Sequence, residues 1–256
     1  MCLEFVICGM EHSGTTLVSD LFRQVPGLDS GFEVGVLMCA RPADFTQLTP
    51  FAPNMLKGWG ISQEALEQCC TASDHAEFYR RLKQASTIIS PETTGLFDKT
   101  PRYIADLEQC MARCDVPFII THKDPRAMVA SDYKRAKSSD FDSWYEEYMP
   151  AKRRYARTSY GQWLAACEDP RRAGRIASVG LEELTMNARA SMERIFAHVG
   201  HEFQLEYSVM DKLRYANTRG NTISADIVFE YMRTLTKPQQ TRICSDFSEM
   251  EDWFYG

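Results

Sequence analysis

The chain has 256 residues, 44% of them hydrophobic and 25% charged, with a formal net charge of −6. This balance fits a globular protein with one large core, so a single domain over 1–256 is expected. The acidic total argues against nucleic acid or heparin-like surfaces as principal partners, since those demand a basic face, and no segment reaches the length of a membrane span.

The first element, Phe5-Val6-Ile7-Cys8, has the length and β-branched content of a buried strand. It breaks at Gly9, crosses a short polar loop and restarts as a helix, with Leu17, Val18, Leu21 and Phe22 on one face. Such a strand, loop and helix N-terminus make an anion site. The backbone N–H groups of Gly14, Thr15 and Thr16 are its expected donors, aided by the positive end of the helix dipole. Gly9 and Gly14 have P-loop spacing, but Thr15 stands where the Lys should follow.

Pro26-Gly27 ends this helix, and a short extended piece is expected around Phe32-Glu33-Val34. Residues 40–61 carry Pro42, Pro50 and Pro53 among Phe45, Phe51 and Trp59, which reads as a long irregular loop suited to a substrate lid. Helices are predicted over about 62–71 and 74–85, the second capped by Asp74. A short strand or turn through Phe97 leads into a helix opened by Pro101. The second strong strand, Val116 to His122, runs through Lys123-Asp124-Pro125 into another helix. Residues 140–168 read as amphipathic helix, Arg175 to Val179 as a third strand, and 186–199 as helix. Two last helices are expected within 222–255, separated by Pro238. Strands alternating with helices predict an α/β, three-layer, P-loop-like fold: a central parallel sheet flanked by helices. The helical annex would come from insertions at about 60–90 and 140–168.

No CxxC pair occurs among the nine cysteines, so buried reduced thiols are expected and no metal site. The first strand begins almost at the first residue, with no charged leader, which predicts no signal peptide and a cytoplasmic location.

The second strand ends in a cluster suited to another phosphate. Lys123 is at its carboxyl end, and Ser131 and Arg135 lie one turn apart on the following helix. In open α/β sheets ligands sit beyond the carboxyl ends of the strands, where the first loop also lies.

The segments EHSGTT and KDPRAMVAS together resemble the donor-binding motifs of sulfotransferases that use 3′-phosphoadenosine 5′-phosphosulfate (PAPS). The resemblance implies PAPS as donor, 3′,5′-adenosine bisphosphate (PAP) as product, and no metal. It implies that residues 12–16 hold the 5′-phosphosulfate, and that Lys123, Ser131 and Arg135 hold the 3′-phosphate. DKTPRYI resembles the family's Lys-Thr-Pro segment and puts Lys99 at the active site. NTRGNTIS resembles the late basic loop, making Arg219 and Gly220 further 3′-phosphate ligands. Leu181 stands where the family has a Tyr. The resemblance also makes Glu33 the base that activates the acceptor hydroxyl, a role a partly buried carboxylate can fill. His12 replaces a family Lys or Arg. As imidazolium, with its pKa raised by the bound phosphosulfate, it would donate to the leaving phosphate.

The expected acceptor is a small soluble hydroxyl or amine compound, with its pocket near 45–59 and 141–163. Two rivals stand beside this reading. One is a nucleotide-binding protein or small-molecule kinase, disfavoured by Thr15. The other is a non-catalytic PAPS-binding relative.

Overall fold

The computed structural model describes residues 2–214 and 222–255. The fold starts with β1 (Leu3–Gly9), α1 (Thr15–Phe22) and a two-residue strand β2 (Leu28–Asp29). Three helices follow: α2 (Phe51–Gly58), α3 (Gln63–Cys70) and α4 (His75–Ala85). Asp74 caps α4 by accepting from the Glu77 N–H. Next come β3 (Gly95–Lys99), α5 (Leu107–Ala112), β4 (Phe118–His122), α6 (Pro125–Ala136), the 28-residue α7 (Phe141–Glu168) and α8 (Pro170–Ala173). The chain then forms β5 (Ile176–Gly180), α9 (Leu181–Met186) and α10 (Ala188–His198). It ends in α11 (Tyr231–Thr234), α12 (Lys237–Asp246) and α13 (Glu251–Tyr255).

The five strands form one parallel sheet in the order β2-β3-β1-β4-β5. Because successive side chains point to opposite faces, β1 divides its residues between two cores. Phe5 and Ile7 meet α1 and α10, whereas Val6 and Cys8 meet the layer that contains α4, α5 and α7. Ile119 takes the first face, and Phe118 and Ile120 take the second. This is the three-layer α/β arrangement expected. On the first face Phe5 stacks on Phe97 at 5.2 Å between ring centroids, and Phe22 on Phe196 at 4.1 Å. Each buried phenyl contributes about 2–3 kcal/mol of apolar burial, which fixes α1, and the loop before it, against the sheet.

Three expectations are corrected, all by proline or by length. Phe32-Glu33-Val34 is not a strand: β2 ends at Asp29, and residues 31–35 run as a loop. The stretch 40–61 is largely helical, a 3-10 helix at Pro42–Gln47 followed by α2. Pro42 sits in a helix's first turn and Pro53 at the third position of α2, where a missing N–H costs nothing. Pro238 likewise opens α12 rather than separating two helices. The nine cysteines are all free thiols, five of them buried. Among the described residues no helix is long and apolar enough to cross a membrane, and no group of His, Cys, Asp or Glu could hold a metal ion.

Candidate active site

The phosphate-type loop is tied to the neighbouring strand. Gly9, the last residue of β1, lies so close to β4 that an added Cβ would stand 2.1 Å from the Thr121 carbonyl oxygen. That approach lets the Met10 N–H reach the same carbonyl at 3.2 Å. The Ser13 side chain turns inward, its Oγ 3.1 Å from Thr121 O and 2.5 Å from Thr121 Oγ1, and its N–H donates to Met10 O at 3.1 Å. Ser13 therefore braces the loop. Gly14, at φ 94°, is the left-handed N-cap of α1 and carries no side chain that would cover the helix end. Gly14, Thr15 and Thr16 border a cleft of about 1040 Å³. His12, just before them, also adopts a left-handed backbone at φ 65°.

The second tip lies on the same cleft. Lys123, Ser131 and Arg135 all border it. The turn that places them closes on itself. Asp124 caps α6 by accepting from the Arg126 N–H, pairs with the Arg126 guanidinium, and donates its own N–H to Glu182 at 3.0 Å. Arg126 lies 4.6 Å over the Tyr231 ring, so Asp124 and Arg126 serve the turn and leave Lys123 to the cleft. Burial pushes the Lys123 ammonium below the usual lysine range, opposed by Glu182 and Asp132. Leu181, at the tip of β5, borders the cleft and packs against Gly14, where an added Cβ would meet its Cδ1 at 2.7 Å.

Glu33 and Lys99 come together from separate elements. Lys99 ends β3, is only 3% exposed, and places its Nζ 2.9 Å from Glu33 Oε1. The Glu33 loop is clamped on both sides. Phe32 donates its N–H to Gly58 O at 2.9 Å and accepts from Trp59 Nε1 at 2.7 Å. Beyond Glu33, the N–H groups of Val34 and Gly35 donate to Thr100 Oγ1 at 3.0 and 3.3 Å. Thr100 in turn donates to Asp98 Oδ1 at 2.8 Å, and Asp98 also accepts from the hydroxyls of Tyr79 and Tyr103. Burial raises the Asp98 pKa, against the pull of these three hydroxyls. Phe32, Met38, Leu48 and Phe51 give this end of the cleft an apolar wall.

Most of the residues singled out in the sequence thus meet at one opening: His12, Gly14, Thr15, Thr16, Glu33, Lys99, Lys123, Ser131 and Arg135. Ser13 faces away, and Arg219 and Gly220 lie outside the described residues. Residues 48–51 and Asn54, from the stretch where the acceptor's pocket was expected, border the cleft, but among the described residues α7 does not reach it.

Instead α7 supports Asp132, which the sequence reading passed over. Asp132 Oδ1 is 3.7 Å from His12 Nε2, while its Oδ2 takes Lys152 Nζ at 3.0 Å and the Tyr148 hydroxyl at 2.6 Å. An acidic residue directly after Ser131 was the available signal. In the unliganded site, partial desolvation and then Arg135 hold the His12 pKa below its ordinary value, against the opposing pull of Asp132.

The arrangement was compared with known proteins. A search of the curated proteins finds no match. Among solved structures, the sulfotransferase domain of the Synechococcus PCC 7002 olefin synthase is similar over 95% of this chain and 93% of its own, at 18% identity and TM-score 0.61. The sulfotransferase domain from the curacin biosynthetic pathway covers 97% and 98%, at 14% identity and TM-score 0.61. A mouse sulfotransferase complexed with PAP covers 98% and 84%, at 13% identity and TM-score 0.50. Identities this low speak for the fold alone. The family model described as "Sulfotransferase family" matches residues 4–204, and on that match the chain belongs to the sulfotransferase family.

Proposed function

We propose that the protein transfers a sulfuryl group from PAPS to a hydroxyl or amine of a small soluble acceptor, with Glu33 as base. The observation that carries this reading is the single cleft bordered by both strand tips and by the Lys99–Glu33 pair. At one end, the N–H groups at the start of α1 suit a 5′-phosphosulfate. Lys123, Ser131 and Arg135 offer a cation, a hydroxyl and a guanidinium for a 3′-phosphate. At the other end, the apolar wall beside Glu33 suits the body of an acceptor.

The chemistry is an in-line displacement. The acceptor oxygen or nitrogen attacks sulfur as the bond from sulfur to the bridging phosphate oxygen breaks. Glu33 takes the acceptor's proton, and the bridging electron pair leaves with PAP. Lys99 and His12 lie where negative charge builds on the transferred group and the leaving phosphate, so most of the rate enhancement comes from positioning and charge stabilisation. No step needs a metal ion.

Incubation with ³⁵S-labelled PAPS and a panel of phenols, alcohols and amines tests this reading. Label should pass to an acceptor in the wild type and be largely lost in Glu33→Gln. Binding of PAP without transfer to any acceptor would favour a non-catalytic relative.

A further inference from the structure

His12 stands where the resembling loops carry a permanent cation, and an imidazole can do that work only while protonated. Its surroundings bear on that directly. Glu11 precedes it in the loop. Asp132 and Arg135 face it from α6; from α7, Lys152 opposes its charge directly and, with Tyr148, holds Asp132. Arg135 Nη1 lies 3.7 Å from Asp132 Oδ1, the same oxygen that His12 Nε2 approaches at 3.7 Å. Two cations and a phenol therefore hold one carboxylate, and the imidazole meets it from the cleft side.

We propose that Asp132 is a positioning residue for His12: anchored by Lys152 and Tyr148, it orients the imidazole over the phosphate loop and stabilises the proton His12 gains when the donor binds. The inference rests on the donor reading above. Desolvation, then Arg135, hold the His12 imidazole pKa below its ordinary value, against the opposing pull of Asp132. A nucleotide 3′-phosphate at Arg135 would offset that guanidinium. A phosphosulfate at residues 14–16 would add negative charge beside the ring. Both changes favour imidazolium, whose Nε2 faces the Asp132 carboxylate at 3.7 Å. The proton comes from solvent, sits on His12 through the displacement, and can be donated to the leaving phosphate oxygen. Asp132 Oδ2 lies 3.0 Å from Lys152 Nζ.

Calorimetric titration of PAP into the intact protein, in buffers of different ionisation enthalpy, counts the protons taken up. The ligand's own phosphates are followed by ³¹P NMR in each variant, and after that share is removed the His12 part is wild type minus His12→Gln. That share should approach one proton near pH 7. In Asp132→Asn its midpoint should fall by about one pH unit, and Asp132→Glu, which keeps the charge, should restore most of the shift. A purely structural role for Asp132 would change affinity without moving the midpoint. The proposal is overturned if the wild type and His12→Gln take up equal numbers of protons, or if Asp132→Asn titrates like wild type. No binding of PAP at all would remove the donor reading itself, which is a different result.

Discussion

Lys99 Nζ lies 2.9 Å from Glu33 Oε1, a contact between residues 66 positions apart that joins the end of β3 to the loop beyond β2. It brings a carboxylate and a cation to one point on the cleft wall. Removing the acceptor while keeping the shape should stop chemistry and spare binding. Glu33→Gln is expected to lower kcat by about 10²–10⁴-fold, with the PAP dissociation constant near that of wild type. Sulfation rates and a parallel titration read the two quantities. Equal turnover in the two proteins would take Glu33 out of the mechanism.

The His12 position distinguishes charge from shape. His12→Ala should weaken turnover strongly, whereas His12→Arg, which restores a permanent cation, should retain most of it and show less dependence on pH. Initial rates across about pH 6–9 check this. An inactive but folded Arg variant would mean that the imidazole has a task a guanidinium cannot perform.

Gly14 is a backbone requirement. At φ 94° a side chain is strained whatever the surrounding space, and Gly14→Ala should cost about 1–2 kcal/mol while turning the N–H groups of residues 14–16 off target. The Leu181 methyl that an added Cβ would meet can swing aside, so the strain lies in the main chain. Urea unfolding gives the stability loss, and PAP titration should show markedly weaker binding. Unchanged affinity would place the anion elsewhere.

His122, at the end of β4, predicts an acid-side loss of stability. It is 8% exposed, among the described residues its Nδ1 has no hydrogen-bond partner, and burial pushes its pKa down to about 4. The folded state therefore binds fewer protons than the unfolded chain between these values. The stability held above the unfolded value of 6.5 is lost as pH falls towards 4. The loss amounts to about 2 kcal/mol by pH ~5. His122→Gln should flatten that part of the profile in urea melts at pH ~7 and ~5. A variant that loses as much stability as wild type would refute the assignment.

The parts legible in the sequence were those with a local signature. Buried parallel strands read as unbroken apolar runs, so β1 and β4 stood out. A strand, glycine loop and helix in succession marked the first strand tip on the cleft. Lys123 at a strand end, with Ser131 and Arg135 one helical turn apart, marked the second, the phosphates themselves being what the resemblance implied. Prolines misled at residues 42, 53 and 238, because in a helix's first turn they start the element they would otherwise break. The support behind the site had no local signature. Asp132 meets Tyr148 and Lys152 only because α6 and α7 pack together, and Thr100 reaches the Glu33 loop across 65 residues or more. Asp98, a carboxylate next to Leu96 and Phe97 in a buried strand, was the visible hint of that second network.

The account stands on two strand tips gripping opposite phosphates of one adenosine nucleotide, and metal-free calorimetric titration with PAP and with 5′-AMP tests this most directly. A charge-assisted phosphate contact contributes about 1.5–3 kcal/mol, so the bisphosphate should bind at least about tenfold more tightly. Ser131→Ala and Arg135→Gln should narrow that gap. Equal affinity for the two nucleotides, or tighter binding of ATP once Mg²⁺ is supplied, would contradict it.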